Sequence, residues 1–183
     1  MRTHRIGFAV ALLLLPLAAR ASDTPQATAM DDGGKQAFLM AFDVTAGKLR
    51  SLAGAIPEEK YGWKPTPEVR SVGQVVGHVA GAEYLFAKML GAELPAGAPQ
   101  DENGLENLGS KAELTAALDK ALTYARGVAE NATPEMLAKK VKFFGTEVTG
   151  RGLFIEMFGH MSEHLGQLIA YARSVGVAPP WSK

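Results

Sequence analysis

Residues 159–173 read GHMSEHLGQLIAYAR and carry two patterns at once. Met161, Leu165, Leu168 and Ala172 recur at steps of four, three and four, the spacing of the buried stripe of an α-helix. His160 and His164 stand four apart, so a helix sets both imidazoles on one face about a turn from each other. Upstream the stripe continues through Met157 and Leu153 to a start at Thr149 or Gly150. Downstream it runs to Val175, where Gly176 stops the helix and Pro179, Pro180 and Trp181 follow.

Working outward, three more helices of similar length appear. Phe38, Leu39, Phe42, Leu49, Leu52 and Ile56 give a first helix from Lys35 to about Ala55, with Asp31 and Asp32 ahead of it. Pro57, Pro65 and Pro67 around Trp63 make the next stretch an extended loop. Ser71 with Gln74 forms a capping box that opens a second helix, in which Val72, Val75, Val76, Val79, Ala82, Leu85, Phe86 and Met89 keep the helical period. Ser110 with Glu113 opens a third, with a narrow face of Leu114, Ala117, Leu118, Ala121, Leu122, Ala125 and Val128. Between the second and third lies a Pro-, Gly- and Ala-rich connection from Gly91 to Gly109, long enough for its two helices to lie parallel or antiparallel. Thr133 and Pro134 start a short helical turn, and the β-branched and aromatic run from Lys139 to Val148 around Gly145 allows a small extended or hairpin excursion. Four long helices with so little strand predict an all-α four-helix bundle with a long crossover between helices two and three.

Composition sets the outer limits. The 183 residues are 47% hydrophobic, enough for one domain with a continuous core. Formal net charge is zero and no basic stripe occurs, which speaks against nucleic acid or an anionic membrane as partner. There is no cysteine, hence no disulfide, thiol nucleophile or cysteine-linked lipid.

Arg2 and Arg5 precede an apolar run from Ile6 to Ala19, and Ala19, Arg20 and Ala21 form a small-x-small site. Residues 1–21 are therefore expected to be a signal peptide, too short in its apolar part for the ~20 residues of a membrane span. The expected product is exported, periplasmic or secreted, and free of the membrane after cleavage. Residues 22–34, rich in Ser, Thr, Asp and Gly, are expected to be a disordered lead-in, and residues 35–183 the folded domain. Cleavage would leave 16 basic against 19 acidic residues, and only three histidines, His78, His160 and His164.

Those three define the chemistry. His160 and His164 suit two ligands on one ion, since neutral imidazole binds zinc, nickel or a similar divalent metal at about 2.0–2.1 Å. His78 lies in line with Val75, Ala82 and Leu85, facing the bundle interior or its edge, where a core histidine bonded to a carbonyl is the plain alternative to a third ligand. Three protein ligands would leave a coordination position open for chemistry. Glu156, one turn before His160, is a candidate base or ligand beside its role as an ordinary surface glutamate. Gln167, one turn after His164, is a candidate for orienting that ring. Trp63, Tyr84 and Phe86 are either pocket walls or packing.

The residues quoted so far resemble the DinB-like superfamily, the damage-inducible and YfiT-like four-helix bundles. The resemblance rests on Trp63, Lys64 and Pro65, on Ser71 opening the helix of His78, on His160, His164, Gly166 and Gln167, and on Tyr171, Ala172, Arg173, Gly176, Pro179 and Pro180. It covers nearly all the chain after Gly34. It implies an up-down-down-up bundle, a divalent metal ion on the histidines matching His78, His160 and His164, and frequent homodimers. It further implies kinship with transferases and isomerases that activate low-molecular-weight thiols such as bacillithiol, mycothiol or glutathione. A metal-dependent hydrolase- or transferase-like enzyme acting on a small molecule is thus one expectation. A non-catalytic metal-binding or envelope stress protein is another, and a plain bundle with hydrogen-bonded histidines a third.

Overall fold

The computed structural model describes residues 32–182. The expected signal peptide, residues 1–21, and the lead-in as far as residue 31 lie outside the described residues. Residues 32–34, expected in the lead-in, instead belong to the first helix.

The elements run α1 (Asp32–Ala55), α2 (Val72–Leu90), α3 (Lys111–Glu130), the short α4 (Pro134–Ala138), β1 (Lys140–Phe143), β2 (Thr146–Thr149) and α5 (Gly150–Ser174). The helix starts follow local chemistry. Ser71 accepts from the backbone N–H of Gln74 while the Gln74 side chain accepts from the Ser71 backbone, and Ser110 and Glu113 repeat the arrangement. Thr133 and Thr149 cap α4 and α5 in the simpler one-sided form. The hairpin pairs Lys140 with Thr149 and Phe143 with Thr146. Its two turn residues, Phe144 and Gly145, both have positive φ (44° and 84°), as a two-residue hairpin turn demands.

Side-chain pairings fix the topology. Asp43 meets Arg126 and Arg50 meets Asp119, so α1 and α3 are antiparallel. Phe38 packs on Phe154, which sets α1 parallel to α5. Tyr84 packs on Tyr124, with the Gly73 end of α2 against Leu114, so α2 and α3 are parallel. Phe86 touches His160 and His78 touches His164, which makes α2 and α5 antiparallel. The result is an up-down-down-up four-helix bundle, and residues 91–109 supply the crossover that parallel α2 and α3 require.

The core is filled by Phe42, Leu49, Leu52, Leu118, Leu122, Leu153, Met157, Met161 and Leu168, all fully buried. Each such side chain contributes about 1.5–3 kcal/mol by leaving water. α2 is the most enclosed helix, with fifteen of its nineteen residues buried, because α3, α5 and the crossover all lie against it. That enclosure carries His78 and Glu83 into the interior. No helix of the described residues is long and apolar enough to cross a membrane.

Candidate metal centre

The antiparallel pairing of α2 with α5 brings His78 against both His160 and His164. Ring centroids lie 5.0 Å apart for His78 and His160, 4.8 Å for His78 and His164, and 4.4 Å for His160 and His164. One nitrogen of each ring lies within 4.8 Å of the others. Nε2 of His78 and Nε2 of His160 are 3.1 Å apart. Two nitrogens held at about 2.0–2.1 Å from one ion in tetrahedral directions are separated by about 3.3 Å, so the observed edge fits a shared ion.

Each ring has a different outer neighbour. Nδ1 of His164 lies 2.7 Å from Oε1 of Gln167, whose amide nitrogen donates to the Tyr171 hydroxyl at 2.9 Å. Tyr171 in turn packs edge-on against Trp63. An Nδ1–H donated to Gln167 leaves Nε2 of His164 as a lone pair directed away from that bond. Nδ1 of His78 lies 3.2 Å from Oε1 of Glu106, at an angle that falls short of a hydrogen bond. Nδ1 of His160 is buried without a partner, and Phe86 covers that ring edge-on at 5.7 Å.

Electrostatics keep the His78 and His160 rings neutral. Burial, together with the neighbouring rings and Arg70, pushes His160 down to about 3, and burial foremost lowers His78 as well. Neutral imidazole is the form that binds a metal. The donor set and its spacing, with His78 and His160 held neutral, therefore fit a divalent ion.

The cluster opens on one side. A cavity of about 750 Å³, lined by Glu68, Arg70, Glu106, Glu163, His164 and Gln167, reaches it from solvent. Arg70 bonds Oε1 of Glu106 at 2.8 Å and Oδ1 of Asn103 at 3.1 Å, holding the crossover across the mouth.

A model of the DinB superfamily matches residues 41–168. The chain belongs to the DinB superfamily. YjoA of Bacillus subtilis (strain 168) is 28% identical over 128 residues, covering 68% of this chain and 80% of YjoA. A DinB-like protein from Bacillus cereus ATCC 10987 superposes with a TM-score of 0.68 at 16% identity, over 81% of this chain and 97% of that one. YfiT from Bacillus subtilis, described as a probable metal-dependent hydrolase with an unusual four-helix bundle topology, superposes at 0.61 with 17% identity, over 82% of this chain and 92% of YfiT. At such identities the structures speak for the DinB fold alone.

The expected exported, periplasmic or secreted location is corrected here, because nothing in the comparisons with DinB-like proteins supports export. The export expectation rested on the apolar composition of residues 6–19, which lie outside the described residues.

Of the other residues singled out from sequence, Gln167 sits on His164, Phe86 on His160, and Trp63 supports Tyr171. Glu156 is exposed and is not part of the ligand group formed by the three histidines. Tyr84 faces away, against Tyr124 and a separate apolar cavity under residues 95–99. Sequence reasoning missed Glu106 and Arg70. The available signal was the pair Gly77 and Gly81 on either side of His78, small residues that let another segment approach the helix.

Proposed function

We propose that this DinB protein is a metal-dependent enzyme, hydrolase- or transferase-like, holding one divalent ion on His78, His160 and His164. The observation that carries it is the convergence of three imidazole nitrogens within 4.8 Å, one of them on His164 in the wall of a solvent-reaching cavity. A bound ion with an open position would supply Lewis acidity and lower the pKa of a water or thiol placed there.

The chain's own residues do the rest. Gln167, backed by Tyr171 and Trp63, holds the His164 ring by its outer nitrogen and leaves the inner one free. Phe86 covers the His160 ring edge-on, and the cavity meets the cluster at His164. The cavity admits a small-molecule substrate rather than a polymer.

The test is turnover of ester, amide and thiol-transfer substrate panels by metal-loaded protein. Activity that disappears with chelator, returns with metal and is absent from His164→Ala is the expected result. A fully loaded protein inert across those panels would leave the ion a structural role and overturn the enzymatic proposal.

A further inference from the structure

Glu106 lies in the crossover, twenty-eight residues from His78 in sequence, yet its carboxylate ends 3.2 Å from the buried Nδ1 of that histidine. Two features of α2 make the approach feasible. A Cβ on Gly77 would fall against the Leu105 carbonyl and 2.8 Å from Cα of Glu106, and one on Gly81 would fall 2.7 Å from the carbonyl carbon of Glu102. Glycines in a helix interior cost about 0.5–1 kcal/mol each relative to alanine, so their use here is offset by what close docking of residues 102–106 achieves. Arg70 donates to the same Oε1 at 2.8 Å and so fixes the carboxylate in place, and the Glu106 side chain is only 12% exposed.

We propose that Glu106 is a positioning residue for the metal centre. Its carboxylate selects the Nδ1–H tautomer of His78, so that Nε2 presents its lone pair to the point shared with His160 and His164. The crossover is thus part of the site, docked through Gly77 and Gly81 to deliver that one carboxylate. The role is the counterpart, on α2, of Gln167 on α5, exerted by the negative charge of a carboxylate 3.2 Å from Nδ1, which favours a proton there, in place of the aligned hydrogen bond that Gln167 makes. The inference rests on the three-histidine proposal and adds a residue from a segment remote in sequence.

The experiment is zinc affinity of the full chain, measured by competition with a chromogenic chelator, together with the ring-nitrogen resonances of His78 in zinc-free protein. Glu106→Ala is expected to weaken zinc binding by about 10–100-fold and to convert His78 from one tautomer to a mixture. Glu106→Gln, which keeps an acceptor but loses the charge, should fall between Glu106→Ala and wild type. Gly77→Ala should weaken binding by displacing the crossover, and combining it with Glu106→Ala should cost little more than either alone, because both act through one contact. Wild-type affinity and an unchanged His78 tautomer in Glu106→Ala would overturn the inference while leaving the three-histidine site intact. Absence of zinc binding by the wild-type chain would instead overturn the site itself. Should Gly77→Ala fail to fold, the Glu106 variants decide alone.

Discussion

Two places on helix α2, five residues apart, bury an ionisable group in different ways. At His78 the ring meets two other histidines, has Glu106 beside its outer nitrogen, and belongs to a cluster that opens on a cavity. At Glu83 the carboxyl is fully buried and neither oxygen has a hydrogen-bond partner. Burial keeps both neutral, lowering the histidine and raising the glutamate well above its ordinary value. The histidine cluster has an arrangement of donors that a cation can use, whereas the glutamate has none. Buried polarity alone therefore does not mark a site, and what separates these two is convergence of lone pairs and access from solvent.

The largest expected effect on this contrast comes from metal itself. Free metal at about 1,000-fold above Kd should stabilise the wild-type protein by about 4 kcal/mol, read as a rise in Tm reversed by chelator. In His164→Ala that gain should vanish while the chelated protein melts close to wild type. Equal metal-dependent shifts in both proteins would erase the distinction between the two places.

Glu83→Met should act in the opposite way. Replacing an unpaired buried carboxyl by an apolar side chain of similar length should stabilise the protein by about 1–3 kcal/mol, with metal affinity unchanged. Denaturant unfolding with and without metal checks both halves, and a loss of stability would mean that Glu83 is partnered in solution.

The pH dependence of chelated protein separates the two by sign. His160 is lowered from 6.5 to about 3, so the unfolded chain takes up its proton first and stability falls as pH drops from 6.5 toward 3, by about 1.4 kcal/mol per pH unit. Glu83 is raised from 4.5, so its contribution is fully present below 4.5 and is lost as pH climbs toward the folded value. Between 4.5 and 6.5 the two oppose each other; below that window the histidines act alone, and above it Glu83 does. Unfolding curves across this range should show both limbs, and Glu83→Gln should lose only the alkaline one.

The smallest effect belongs to Tyr171→Phe, which removes the hydroxyl that receives the Gln167 amide. A drop in zinc affinity of less than about tenfold is expected, since Gln167 still reaches His164. No change at all would assign Tyr171 to packing only.

What was legible in the sequence was what neighbours in sequence decide. The capping boxes at Ser71 and Ser110 and the hairpin around Gly145 each depend on residues three or four apart, and each formed where expected. His160, His164 and Gln167 likewise share one helix face. Convergence of His78 on them required the antiparallel pairing of α2 with α5, which the helical period alone does not dictate. Glu106 was invisible because its role depends on how a crossover docks, and Glu83 because a polar–apolar pattern assigns carboxylates to solvent while α2 is enclosed on nearly every side. Glu156 shows the converse, in that its place one turn from His160 left it on the exposed face.

Metal content of untagged protein, loaded with zinc and freed of excess, tests the central claim most directly. One ion per chain in the wild type, and none retained by His78→Ala, His160→Ala or His164→Ala variants that still fold, is the predicted result. A folded wild-type chain that retains no ion, or a His78→Ala variant that binds as the wild type does, would contradict it.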